Sequence, residues 1–271
     1  MARRIGRRTL IRAAVMAGGL VAAAVSPVMG QTSPNGGAIA LTGNLDVGTA
    51  YFRRGIPQDD TGVILSPSVE AVVAVADGLT VNVGSSNSLL TGDRGRNGPS
   101  ARLWYASEFH GAVGYAVSGT RVGVAYGAFT SPNGAFGSVE ELQVTVSRDG
   151  RFRPYGLLAF EMRGQLDGGS RKGRYLEVGV APAFGQGLTL AVPVKAGFSL
   201  GHYYEGLTGD ERFGFLSVGG RLTKALAGGS SRVGRWHIHG GVEYLVLGDR
   251  NELQFGSAST VIGTAGLGFS Y

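Results

Sequence analysis

The most regular alternation in the sequence lies in its last twelve residues, Thr260-Val261-Ile262-Gly263-Thr264-Ala265-Gly266-Leu267-Gly268-Phe269-Ser270-Tyr271. Every second residue from Val261 to Tyr271 is apolar, aromatic or Gly, and the residues between them are mainly Thr, Ser and Gly. Successive side chains of an extended chain point to opposite faces. The pattern therefore predicts a strand with one apolar face and one polar face.

The same alternation recurs through the chain from Ala38 onward. In one further example, Trp236, Ile238 and Val242 alternate with His and Glu residues. Twelve segments follow this pattern, and each is long enough to form a strand. The predicted strands are 40–52, 62–76, 79–88, 101–116, 121–130, 138–148, 151–163, 173–184, 187–200, 212–225, 233–247 and 258–271.

Short and long connections alternate between these segments. Turn sequences are predicted at Asp77-Gly78, Ser118-Gly119, Asp149-Gly150, Gly185-Gln186 and Ala227–Ser231. Longer polar loops are predicted at 53–61, 89–100, 131–137, 164–172, 201–211 and 248–257. A soluble β-sandwich also has alternating strands, but short turns on one side and an even strand number are typical of outer-membrane barrels. The sequence therefore predicts an all-β, antiparallel transmembrane β-barrel of about twelve strands, with ten or fourteen as alternatives.

The first 30 residues have the three parts of an export signal. Met1–Arg12 is positively charged, Ala13–Val25 is apolar, and small residues precede an expected cleavage before Gln31. The apolar run is short for a membrane span, which needs about 20 residues. Gly6–Arg12 also resembles a twin-arginine signal, an alternative that suits folded cargo rather than a barrel. We therefore predict a signal peptide at 1–30 and a single barrel domain at 31–271.

Composition excludes several classes of protein. Five of the 25 basic residues lie in positions 1–30, which leaves 20 basic against 19 acidic residues and no persistent basic surface for nucleic acid. The chain contains no Cys, which excludes thiolate catalysis and Cys-ligated zinc and suits an oxidising periplasm. With 48 Gly among 271 residues, far above the usual ~7%, the strands are suited to close packing and bending.

The segment from Gly43 to Gln58 contains Tyr51, Arg54, Gly55, Ile56 and Gln58 in the spacing Tyr-x-x-Arg-Gly-Ile-x-Gln. This pattern resembles the opening of the TorF-type family of outer-membrane porins, known as conserved hypothetical outer-membrane proteins. Weaker similarities extend over most of residues 40–271, although the chain departs from the family at 131–134. The resemblance implies a barrel with a porin-like role and assigns no catalytic residue.

Charged and polar side chains at the inward positions of the predicted strands carry both signs. Such residues form the polar lumen of a membrane barrel, where charge rings set ion selectivity. The alternative is a network of ion pairs that fills and stiffens a narrow barrel. The predicted lumen-lining residues are Asp46, Glu70, Arg102, Glu108, Glu141, Arg153, Glu161, Glu177, Lys195, Arg221, His237, His239 and Glu243.

No catalytic, cofactor or metal site is predicted. His237, His239 and Glu243 share one strand face, but two imidazoles about 7 Å apart along a strand chelate poorly without a third ligand from a neighbouring strand. A barrel hydrolase needs a Ser and a His that meet at the rim, and the sequence offers no evident pair. The sequence therefore indicates a protein that is not an enzyme.

The function predicted from sequence is a porin-like channel for small polar solutes with a partly obstructed lumen. The alternative is a closed structural or adhesive barrel. The expected location is the outer membrane, the expected partners are its lipids, periplasmic chaperones and the barrel assembly machinery, and the protein is expected to be a monomer. The residues predicted to act as the assembly signal are Leu267, Phe269 and Tyr271.

Overall fold

A computed structural model describes residues 37–93, 103–206, 209–226 and 234–271. The predicted export signal lies outside these residues. Strands are assigned as β1 Ile39–Gly48, β2 Tyr51–Arg53, β3 Ile56–Asp59, β4 Ile64–Ala76, β5 Leu79–Leu90, β6 Trp104–Val117, β7 Thr120–Thr130, β8 Val139–Arg148, β9 Tyr155–Arg163, β10 Arg174–Val180, β11 Ala183–Phe184, β12 Leu188–Ala191, β13 Val194–Gly201, β14 Glu205–Gly206, β15 Gly209–Asp210, β16 Phe213–Ala225, β17 Arg235–Leu247 and β18 Ser259–Ser270. A short helix, α1, spans Asp249–Phe255.

The wall is a closed antiparallel β-barrel of twelve strands, in which β10 with β11 and β12 with β13 each form one strand. The first and last wall strands, β1 and β18, pair from Thr42 opposite Ser270 to Gly48 opposite Thr264. The backbone N–H and C=O of Tyr271 extend this seam through two 2.8 Å hydrogen bonds to Leu41. The predicted fold class and strand number are confirmed.

Prolines interrupt two wall strands that the sequence predicted as continuous at 173–184 and 187–200. Pro182 separates β10 from β11, and Pro193 separates β12 from β13, because proline lacks the N–H that a ladder needs. Their carbonyl groups still accept hydrogen bonds of 2.9 Å, from Val192 and Gly219 respectively. The strands are therefore interrupted at these two points, and the barrel stays closed.

The outer face of the wall is apolar. Exposed side chains include Val83 at 57%, Val113 at 51% and Val242 at 63% of their full accessible area. Exposed and buried residues alternate along most wall strands, so the polar residues between these apolar ones lie on the inner face. A soluble monomer rarely exposes a contiguous apolar surface of this extent, and a lipid bilayer would cover it.

Val242 lies at the centre of β17, so it tests this orientation directly. We expect Val242→Arg to lower the free energy of unfolding in a bilayer by about 2–4 kcal/mol, the cost of Arg at the midplane of a membrane barrel. Unfolding by urea from lipid vesicles measures the difference. Val242→Leu is the matched control and should leave the stability almost unchanged. Equal stability of the Arg variant and the wild type would contradict a lipid-facing Val242.

The chain between β1 and β4 folds as a hairpin inside the barrel. The predicted first strand, 40–52, and the predicted external loop, 53–61, are therefore wrong: β1 ends at Gly48, and β2 and β3 pair with each other instead. Arg54 and Gly55 form the turn with φ values of +50° and +79°. Positive φ at both positions is the requirement of a two-residue type I′ turn, which favours Gly at the second position.

Contacts on both sides place this inner hairpin within the ring of strands. Tyr51 belongs to a buried cluster with residues of β4 to β8, whereas Phe52 and Ile56 pack with residues of β9, β10, β16, β17 and β18. Gly55 touches the opposite wall, since an added Cβ would lie 2.7 Å from the ring of Phe215. The hairpin therefore crosses the interior from one wall to the other.

Described residues of four long connections, 131–137, 164–172, 201–211 and 248–257, pack in the same clusters as the inner hairpin, at the end of the barrel that we call the loop end. The ring of Phe255 in α1 packs edge-on against Phe52 at 5.0 Å, and the amide of Asn251 donates to the Gly214 carbonyl at 3.0 Å. The sequence predicted this segment, 248–257, as loop rather than helix. Within the described residues, no helix is long and apolar enough to cross a membrane.

Candidate functional site

Two consecutive arginines of the inner hairpin bind carboxylates of the barrel wall. Arg53 pairs with Glu108 of β6, and its second nitrogen lies 3.4 Å from Glu141 of β8. Arg54 Nη1 donates to Glu141 Oε1 at 2.6 Å. All four side chains are at most 5% exposed, so these are buried ion pairs. Breaking a buried pair leaves an uncompensated charge, so the pairs fix the hairpin to the wall.

Aromatic rings complete the surroundings of both guanidinium groups. The Cζ atom of Arg53 lies 4.3 Å from the ring centre of Phe129, and that of Arg54 lies 4.7 Å from Tyr175 and 5.6 Å from Tyr203. The Tyr203 hydroxyl accepts from Arg54 at 2.6 Å and donates to Glu141 at 3.1 Å. A cation over an aromatic face is stabilised by the ring quadrupole, more strongly in a dry site.

Two further carboxylates of the inner wall are held by neutral donors. Glu161 accepts from the backbone N–H groups of Leu166 at 2.6 Å and Gly173 at 2.7 Å. Glu177 accepts from the hydroxyls of Tyr155 at 2.8 Å and Tyr175 at 2.6 Å. Within the described residues neither carboxylate is in an ion pair. These two side chains therefore add two acidic groups without a basic partner to the inner face of β9 and β10 among the described residues.

Other polar residues of the inner wall pair with one another across adjacent strands or across the next strand but one. Lys195 lies 3.6 Å from Glu243, which also accepts from Ser217 at 2.5 Å. Glu70 accepts from the Asn82 amide at 2.6 Å and lies 3.7 Å from the His110 ring. Each of these carboxylates therefore has a polar partner on an adjacent strand.

A cluster of basic side chains lies on β16 and β17, close to Asp46 of β1. His239 Nε2 bonds to the Asp46 carboxylate, and the His237 ring lies 5.6 Å from the His239 ring. Arg221 is 6% exposed, and within the described residues its Nε and Nη2 atoms have no hydrogen-bond partner. No three His, Asp or Glu side chains are arranged to hold a metal ion in the part of the chain that the structure describes.

The structure places eleven of the thirteen predicted lumen residues among the buried or half-buried residues of the wall strands. These are Asp46, Glu70, Glu108, Glu141, Glu161, Glu177, Lys195, Arg221, His237, His239 and Glu243. Arg153 lies in the turn between β8 and β9 with φ of +47°, so its predicted position in a strand from 151 is wrong. Arg102 lies outside the described residues.

Sequence reasoning missed the residues that meet these carboxylates. Arg53 and Arg54 fell in a predicted surface loop, and Tyr203 fell in another. Tyr105 shares the apolar alternation of Phe109 and Val113 in the predicted strand 101–116, which predicts an outward orientation for its ring. In the structure it is 3% exposed and its hydroxyl donates to Gln58 at 2.9 Å, because a bulge opposite Leu89 shifts the register of β6. One signal was available in the sequence: the segment 50–58 is too rich in aromatic and aliphatic residues for a solvated loop.

Two carboxylates connect the loops over the inner hairpin through hydrogen bonds to backbone N–H groups. Asp167 accepts from the backbone N–H of Glu205 at 2.5 Å, and burial raises the pKa of the Asp167 carboxyl. Glu205 accepts from the N–H groups of Ser170 at 2.6 Å and Arg171 at 3.2 Å, and the Ser170 bond holds the pKa of Glu205 below its usual value. In the hairpin itself, burial raises the pKa of Tyr51 to about 12.

Comparison with known proteins identifies no family. No protein-family model and no curated sequence matches the chain, so membership of the TorF-type family stays a prediction. An outer membrane channel from Pseudomonas putida F1 superposes with a TM-score of 0.48 at 9% identity, over 87% of this chain and 96% of that chain. The NanC porin gives 0.44 at 12% identity, over 86% and 99%. An anion-selective porin from Comamonas acidovorans gives 0.37 at 9%, over 86% and 98%. Similarity at this level supports no inference about solute or activity.

Proposed function

We propose that this protein is an outer-membrane channel for small polar solutes, narrowed by the inner hairpin. The observation that carries the proposal is the combination of an apolar outer face with a polar inner face in one closed barrel. A membrane protein needs the first, and a passage for hydrophilic solutes needs the second. A twelve-stranded barrel is intermediate in width. Side chains fill the interior of eight-stranded barrels, whereas porins with about 16 strands contain an open channel.

The inner hairpin supports the idea of a restricted passage rather than a wide pore. Its residues from Ala50 to Asp59 are all buried, and its arginines bind wall strands that lie far apart in the sequence. A segment held in this way would leave a narrow route lined by charged groups, in which size and charge both select the solute.

The decisive experiment compares the conductance of the wild type with that of a variant in which a short Gly-Ser turn replaces 50–59. In planar bilayers we expect small wild-type channels and a several-fold larger conductance in the variant. Heat-modifiable gel migration of both proteins serves as the control for folding. If neither protein conducts although both fold, the proposal fails and a closed structural or adhesive barrel becomes the better interpretation.

Assembly of the barrel depends, in this proposal, on Leu267, Phe269 and Tyr271. The three residues occupy every second position at the end of β18 and just beyond it. Phe269 packs against Trp236 at 4.9 Å, and the backbone of Tyr271 bonds to Leu41 of the first wall strand. An edge strand with apolar side chains at every second position is suited to recognition by strand addition. The assembly machinery of the outer membrane would read these residues before the seam closes.

Deletion of Tyr271 tests this role. We expect a several-fold loss of folded protein in the outer membrane of cells and a much smaller loss of refolding yield in detergent. The reason is that the machinery reads the side chain, whereas the finished seam loses only its last pair of backbone bonds. Heat-modifiable migration measures both yields. Equal losses in the two assays would mean that Tyr271 contributes to stability alone.

A further inference from the structure

The surroundings of Arg54 have the composition of a binding site for an organic cation. We call Glu141, Tyr175 and Tyr203 the guanidinium site. Glu141 supplies a carboxylate at 2.6 Å, Tyr203 a hydroxyl at 2.6 Å, and both tyrosines present a ring to the Cζ atom. The three side chains are at most 2% exposed. Proteins bind guanidinium and alkylammonium ligands with this combination of carboxylate and aromatic faces.

Arg54, which occupies this site, has an unfavourable backbone conformation and an unsatisfied hydrogen-bond donor. Arg54 adopts a φ of +50°, a backbone conformation that residues other than Gly rarely adopt. Its Nη2 atom is buried and has no hydrogen-bond partner among the described residues, and the same holds for Nε of Arg53. A free guanidinium ligand would carry no backbone constraint and could turn to use all its donors. The site therefore fits the chemical group better than it fits this particular arginine.

The wall next to the guanidinium site would favour the approach of a cation. Glu161 lies directly opposite Glu141 in the pairing of β8 with β9, and Glu177 lies on the adjacent strand, β10. Neither is in an ion pair in the described part of the chain, whereas Glu141 is neutralised by the hairpin. Carboxylates along one wall attract cations into a lumen and repel anions.

We propose that the guanidinium site binds a cationic solute that carries a guanidinium or primary amine group, and that Arg54 of the inner hairpin occupies it as an internal competitor. The solute displaces Arg54 and leaves Arg53 as the only hairpin arginine bound to the wall, so the hairpin detaches more readily. This inference rests on the proposed channel function, since it names the class of solute that enters the lumen. The alternative is a hairpin that its ion pairs hold in place permanently, so that no solute displaces Arg54.

The test uses Arg54→Ala in the full-length barrel, with methylguanidinium chloride as the probe and sodium chloride at equal ionic strength as the control salt. We expect millimolar methylguanidinium to raise the thermal unfolding temperature of the variant by several degrees more than sodium chloride does. The wild type, whose site is filled, should show little rise. The double variant with Glu141→Gln should lose the response. A rise no larger than that in sodium chloride, or an undiminished rise in the double variant, would overturn the proposal.

A second measurement applies to the wild type and covers the case in which Arg54→Ala does not fold. Chymotrypsin cleaves after Phe52 only when the inner hairpin leaves the barrel. We expect methylguanidinium to accelerate this cleavage several-fold over sodium chloride, and an unchanged rate would contradict displacement. Neither thermal unfolding nor proteolysis requires ion conduction. Binding of methylguanidinium without conductance would therefore contradict only the channel function, and conductance without binding would contradict only the guanidinium site.

Discussion

Glu141→Gln is expected to destabilise the protein more than any other single conservative change on the inner wall. Its carboxylate receives both hairpin arginines, the Tyr203 hydroxyl and the Gln143 amide, the last at 3.2 Å. Glutamine keeps the shape but removes the charge, which leaves Arg54 buried beside aromatic rings without a carboxylate. Breaking a buried ion pair from one side costs about 3–5 kcal/mol.

The loss of stability should appear in one of two measurements, depending on whether the hairpin or the whole barrel unfolds first. If the hairpin stays docked, urea unfolding in detergent reports a lower free energy of unfolding. If the hairpin leaves the lumen, chymotrypsin cuts after Phe52 while the wall stays folded. A variant with unchanged stability and an uncut hairpin would show that the buried pairs do not hold the hairpin.

The neighbouring residue offers a matched control. Glu140 precedes Glu141 on β8, so its side chain points to the opposite face of the wall. There it pairs with Arg163 at 3.4 Å, a partner that is 74% exposed, and it also bonds to Tyr126. Glu140 is the second residue of β8 and lies at the rim of the wall, where water screens both charges of an exposed pair, so the pair contributes little. Glu140→Gln should therefore leave stability and protease resistance almost unchanged.

The wall could be predicted from the sequence because a period of two in hydrophobicity has a direct structural cause. A lipid-facing residue must be apolar and the next residue faces the interior, so β17 and β18 carry a strong signal. The strand breaks at Pro182 and Pro193 could have been predicted from the sequence, since proline cannot donate a hydrogen bond to a β-ladder. They were missed because the apolar alternation continues on both sides of each proline.

The inner hairpin could not be predicted from alternation, since its position depends on contacts distant in the sequence. Arg54 and Glu141 are 87 residues apart, and nothing local to either residue indicates the other. Apolar residues at inward positions of the wall strands were a second available signal. Ile262, Leu245 and Leu157 interrupt the polar inner face, and all three pack in the cluster that contains Phe52 and Ile56.

The hairpin also changes the expected charge balance of the lumen. The sequence places seven acidic and five basic residues on the inner face, the basic ones being Arg102, Arg153, Arg163, Lys195 and Arg221, and this near balance predicts a weak ion preference. Of those five, Arg102 lies outside the described residues, Arg153 lies in a turn, and Arg163 is 74% exposed and pairs with Glu140, while Arg53 and Arg54 are added by the hairpin. The inner wall and the hairpin together then have eight carboxylates and four permanent cations among the described residues. The carboxylates are Asp46, Asp59, Glu70, Glu108, Glu141, Glu161, Glu177 and Glu243, and the cations are Arg53, Arg54, Lys195 and Arg221.

This excess of carboxylates predicts a cation-preferring channel whose selectivity can be moved in either direction. Replacing Arg53 and Arg54 with Gln removes two positive charges, so cation preference should increase several-fold. Replacing Glu108 and Glu141 with Gln removes two negative charges from the same ion-pair network and should shift selectivity towards anions. The reversal potential across a salt gradient in planar bilayers measures both shifts. Arg121→Gln, which breaks the half-exposed 2.7 Å pair with Asp149 in a turn, is the control and should leave the potential unchanged. Equal reversal potentials in the two double variants would mean that ions do not pass the hairpin network, because a passage beside it must respond to its charge.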